Sequence, residues 1–147
     1  MPEPIKPSKL VRWDLPFAEA RYPSVSLITE EGDSGVVVLV APEGIDKYPK
    51  YLVHVQLVIA LLYYEEAFAF DRGYRTLERT EDGLCAYQWM DSPWLQAYRD
   101  GKEIFEWESL SHYLLFGGDN IVEIVLSGEL TVERIDSKMI LETKHEI

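Results

Sequence analysis

The segment from Tyr51 to Tyr64 constrains this chain more than any other. It is the longest uncharged run, fourteen residues whose side chains include His54 and Gln56. Its odd positions, Tyr51, Val53, Val55, Leu57, Ile59, Leu61 and Tyr63, are all apolar. That is the period of a strand with one wholly apolar face. On a helix, His54 and Gln56 would stand about 200° apart and leave no polar stripe. The β-branched Val53, Val55, Val58 and Ile59 also favour a strand. Fourteen residues are long for one strand, so a break or bulge is expected near Gln56. A buried helix beginning after Pro49 is the alternative. As a helix, the run is too short to cross a bilayer.

The flanking sequence extends the β pattern. Tyr113–Phe116 and Ile121–Leu126 enclose Gly117-Gly118-Asp119-Asn120, a loop of residues that tolerate unusual φ angles, which reads as a hairpin. Tyr22–Thr29 and Val36–Val40 flank a Gly/Asp turn cluster and read as a second hairpin. Val11–Leu15, stopped by Pro16, Leu84–Met90, and Leu130–Ile135 read as further strands. One helix start stands out. Ser92 is a good N-cap, Pro93 fits the first helical position, Trp94, Leu95 and Tyr98 form an apolar face, and Gly101 supplies the stop. The expected fold is α+β and β-dominated, a mainly antiparallel sheet or partly open barrel with one or two short helices.

The 147 residues are the length of one ordinary domain, and 47% hydrophobic content is that of a globular chain. Residues 1–10, with Pro2, Pro4 and Pro7, read as a flexible Pro-rich arm, and 11–147 as a single α+β domain. No apolar stretch follows the prolines, so a signal peptide is not expected. Cys85 is the one cysteine, which rules out an internal disulfide and any Cys-x-x-Cys zinc site. A cytoplasmic protein without a membrane span is the expectation. The formal charge is −12, spread along the chain, with Lys6, Lys9 and Arg12 making the start basic. That sign argues against nucleic acid as a partner, because phosphate backbones are bound by basic surfaces.

Catalytic and metal motifs are sparse. His54, His112 and His145 are far apart and form no metal-binding spacing; His54 reads as a core residue, and His112 as preceding a strand. Glu65 and Glu66 follow the apolar run, but on a strand they point to opposite faces, and a solvated strand end is the preferred reading. A carboxyl there could serve as a general acid only if burial raised its pKa. Glu106 and Glu108 flank Trp107 at the spacing of one strand face, about 7 Å, as surface carboxylates commonly do. Cys85 has no basic neighbour in sequence and reads as a buried inert thiol. Ser24, Ser26, Ser34 and Ser127 lack a nucleophile-elbow context, and Gly117-Gly118 lacks the motif of a phosphate loop. No cofactor and no metal is signalled.

Aromatic residues are abundant, at 12%. Tyr63, Tyr64, Phe68, Phe70 and Tyr74 form one group, and Trp89, Trp94, Tyr98, Phe105 and Trp107 another. Core packing accounts for most of them, and an exposed remainder would supply anchors for a partner. Three functions follow. The first is a non-enzymatic interaction module, such as an inhibitor or immunity-type protein covering a basic protein partner, with a homodimer as a further assembly. The second is a small-ligand domain with a pocket lined by Tyr63, Trp89 and Trp94. The third, the least favoured, is a small hydrolase using Glu65 or Glu66 with a histidine. The contact residues expected are Tyr63, Tyr64, Glu65, Glu66, Trp89, Trp94, Tyr98 and Trp107.

Overall fold

A computed structural model describes residues 8–29, 35–65, 74, 77–101 and 110–138. The strands are β1 (Lys9–Arg12), β2 (Ser24–Thr29), β3 (Val36–Ala41), β4 (Lys50–Val55), β5 (Val58–Glu65), β6 (Glu78–Arg79), β7 (Ala86–Met90), β8 (Ser111–Phe116), β9 (Asn120–Leu126) and β10 (Leu130–Ile135); the helix is α1 (Pro93–Gly101). They build a six-stranded sheet in the order β5-β9-β8-β7-β1-β6 and a four-stranded sheet in the order β10-β4-β3-β2. All pairings are antiparallel except β1 with β6. The fold is thus a β-dominated α+β domain with one short helix and no closed barrel among the described residues.

The 51–64 run is a pair of strands, not a helix. It breaks at Gln56–Leu57, where Leu57 adopts a φ of 55°, and its halves enter different sheets. The chain returns between the sheets from β9 to β10 at the same corner. There Gln56 N–H donates to Glu129 O at 3.1 Å, and Ser127 N–H donates to Leu57 O at 3.1 Å. Gly128 permits the close approach, since a Cβ on it would lie 2.5 Å from Gln56 O.

Strand alternation divides the core. Val25, Val38, Val40, Val53 and Val55 of the small sheet pack against Ala86, Leu115, Val122, Ile124 and Leu126 of the large one. The opposite face of the large sheet carries a second cluster, including Leu10, Tyr87, Trp89, Leu114 and Ile121. Strand β9 is buried on both faces, which explains its nearly continuous apolar sequence. The first strand starts at Lys9 rather than Val11, and Leu10 is fully buried. Its pairing with β7 sets those limits.

Candidate functional site

The polar interruption in β9 is Glu123, whose neighbours Val122 and Ile124 face the inter-sheet core. Glu123 therefore faces the other side, where Leu114 is its cross-strand partner. His112 stands two residues before Leu114 in β8, a diagonal neighbour of Glu123. His112 thus lies within β8, not ahead of it. Its Nε2 is 3.0 Å from Glu123 Oε1 and its Nδ1 is 2.7 Å from Ser92 Oγ. The Tyr64 hydroxyl donates to Glu123 Oε2 at 2.8 Å and lies 2.8 Å from the Tyr74 hydroxyl. Ser92, His112, Glu123, Tyr64 and Tyr74 form one polar chain through the second core cluster.

The proton arrangement follows from the partners. Tyr64 gives its proton to the carboxylate, so Tyr74 donates to Tyr64. With the ring proton on Nε2, His112 donates to Glu123 and accepts the Ser92 hydroxyl proton at Nδ1. Burial, the bond to Tyr74 and the charge of Glu123 push the Tyr64 phenol far above its usual pKa, so it remains a donor. Ser92 also caps α1: its Oγ accepts Leu95 N–H at 3.3 Å and its carbonyl accepts Gln96 N–H at 2.9 Å. Trp94 stacks on the imidazole with centroids 5.2 Å apart, and Trp89 packs against it at a tilt of 30° with centroids 4.9 Å apart.

Serine, histidine and glutamate bonded in series make the constellation of an acyl-transfer enzyme. Here all three are 0% exposed, and the serine hydroxyl is engaged by both the helix and the imidazole. The chain holds α1, β8, β9 and β5 in register by satisfying polar groups that would otherwise be costly to bury.

The expected contact residues do not gather in one place. Tyr64 belongs to the buried chain, Trp89 and Trp94 pack on its histidine, and Tyr98 is half-buried on α1. Tyr63 points to the face opposite Tyr64 and is 42% exposed. A pocket lined jointly by Tyr63, Trp89 and Trp94 therefore does not form. Glu65 is exposed at the end of β5, and the carboxylates beside the described histidines are Glu123 and Glu133 instead, the latter 3.7 Å from His54. Glu66 and Trp107, with Glu106 and Glu108, lie outside the described residues. Cys85 is buried just before β7; its thiol donates to Phe17 O at 3.2 Å, and desolvation pushes its pKa up to about 11. No group of three or more His, Cys, Asp or Glu side chains poised for a metal occurs among the described residues, and none of their helices is long and apolar enough to cross a membrane.

Sequence reading passed over Ser92 as part of a polar site and treated Glu123 as a strand residue. The available signal was a lone acid in the apolar run Ile121–Leu126, read together with the hairpin register that sets it diagonal to His112.

Two surface features remain. Strand β5 is eight residues long, partly or fully exposed throughout, and paired with β9 alone among the described residues. A cleft of about 350 Å³ opens beside Tyr74, with Arg21, Tyr22, Arg79 and Phe116 in its lining. Comparison with known proteins finds no matching family model, no matching curated protein and no matching solved structure.

Proposed function

We propose that this domain is a non-enzymatic interaction module that receives an extended segment of a basic protein on strand β5. The observation that carries this reading is the edge of β5, which is open among the described residues. A sheet edge presents unpaired N–H and C=O groups that pair with any accessible strand, so folded proteins usually shorten, charge or bend their edges. The other described edges follow that rule. β6 has two residues, β10 carries Glu133 and Arg134, and β2 carries Ser24, Ser26 and Thr29. β5 reads Val-Ile-Ala-Leu-Leu-Tyr-Tyr-Glu, and its one irregularity lies between Val58 and Ala60, leaving Ala60–Glu65 in regular register.

Backbone pairing would supply the attachment, and the exposed Tyr63 ring an anchor. The net charge of −12 favours basic partners by raising encounter rates.

The test uses two synthetic peptides, one alternating lysine with valine and one alternating glutamate with valine. The lysine peptide is expected to bind, to weaken with salt, and to protect amides of 58–65 from hydrogen exchange. Tyr63→Lys, which places a like charge at the edge, should weaken it about tenfold. Equal binding of both peptides, or protection elsewhere than β5, overturns the reading. Self-association that Tyr63→Lys abolishes would instead assign the edge to a second copy of the chain.

A further inference from the structure

The cleft beside Tyr74 brings together two arginines that have no ion-pair partner among the described residues. Arg12 is bonded to Asp14, Glu19 and Glu81, and Arg134 to Asp136. Arg21 and Arg79 have no carboxylate partner among the described residues. Both line the same cleft. With 26 acidic residues against 14 basic ones, acceptors are plentiful, yet these two guanidiniums are left to the cleft.

Their setting is built rather than incidental. Arg79 lies over the Tyr87 ring, 5.3 Å from its centroid. Tyr87 is itself fully buried, and its hydroxyl donates to Glu81 O at 2.8 Å while accepting Leu84 N–H at 3.2 Å. This cation–π contact anchors the guanidinium against the ring. Arg21 precedes Tyr22 and Pro23, and Pro23 O accepts Gly118 N–H at 2.9 Å. Gly117 N–H is held by Asn120 O at 2.7 Å, and a Cβ on Gly117 would come within 2.9 Å of that oxygen. A backbone bond therefore ties the segment carrying Arg21 to the Gly117-Gly118 turn that lines the cleft. The half-buried Phe116 ring, packed edge-on against the buried Tyr74 with centroids 5.4 Å apart, also lines the cleft, and Tyr22, 80% exposed, adds a second aromatic ring to its lining.

We infer that this cleft binds a small organic anion, an oxyanion of carboxylate or phosphate type carried on a flat aromatic body. The guanidiniums take the oxyanion through charge-assisted hydrogen bonds, and the aromatic residues take the ring. No lining residue of the cleft belongs to β5, so either proposal can fail without the other.

The experiment is a nuclear magnetic resonance titration of the full chain with benzoate, phenyl phosphate, benzyl alcohol and inorganic phosphate. Benzoate, phenyl phosphate or both are expected to give saturable shifts at Gly117 and at the Arg79 side chain; the tighter of the two assigns the oxyanion. Benzyl alcohol and inorganic phosphate should each bind about tenfold more weakly, one lacking charge and the other the ring. Arg21→Gln and Arg79→Gln should each weaken the preferred anion about tenfold with an unchanged circular dichroism spectrum. Neutral and charged aromatics binding alike, inorganic phosphate matching phenyl phosphate, or undiminished binding by the double glutamine variant overturns the proposal.

Discussion

At the residue scale the decisive question is what Glu123 does. Its carboxylate accepts from His112 and Tyr64 at full burial. Glu123→Leu strands both donors, and the expected loss of stability is about 3 to 5 kcal/mol. Glu123→Gln behaves differently. Its carbonyl still serves Tyr64, and its amide can donate to Nε2 once the imidazole proton moves to Nδ1, facing Ser92 Oγ. The expected loss is then about 1 kcal/mol. Urea titration of both variants separates hydrogen-bond matching from a need for charge; equal losses would sink the matching argument. Cys85 gives a pH test. Burial raises its thiol from 9.0 to about 11, so the folded state favours the protonated form. The stability this contributes is complete below pH 9 and declines as pH rises toward 11, by about 1 kcal/mol per pH unit within that window. Cys85→Ala should remove that component, and the difference between the two urea midpoints across pH 8 to about 11 measures it. Cys85 was legible as an inert thiol because it sits on a strand-like run with no basic neighbour in sequence. The serine–histidine–glutamate chain was not, because its members come from three elements and meet only through sheet register.

At the scale of elements, the corner where β4 passes to β5 and β9 to β10 carries the most constraint. Gly128 faces Gln56 backbone there, not a side chain that could swing away. Gly128→Ala is expected to cost about 2 to 3 kcal/mol, while Gly118→Ala, whose Cβ would meet its nearest atom at 3.6 Å, should be close to neutral. Comparing their thermal midpoints checks the contrast. The break near Gln56 was visible in the sequence, since the run is too long for one strand. That its halves belong to different sheets was not visible. Both halves have period two and both bury apolar side chains, so nothing in the pattern marks the change of partner. The helix was legible from Ser92 and Pro93 because capping is a local matter of hydrogen bonds.

For the whole molecule, one charge excess acts in two directions. Within the chain, 26 acids against 14 bases repel one another, and the described cations relieve this only locally, as where Arg12 gathers Asp14, Glu19 and Glu81. Salt screens that repulsion, so raising the ionic strength from about 0.01 M to about 0.15 M should increase folding stability. Between chains, the same screening weakens attraction to a basic segment at β5. Thermal midpoint and affinity for the lysine–valine peptide should therefore change with salt in opposite senses. The sequence supplies the sign of this effect, but not its strength, which depends on how folding distributes the acids around the edge. Tyr63→Lys separates the two. It should leave the salt dependence of folding almost unchanged, because it alters one charge among many. It should also flatten the salt dependence of binding, because that charge stands where the peptide docks. A variant that changed both dependences equally would mean that the peptide responds to the overall field and not to β5.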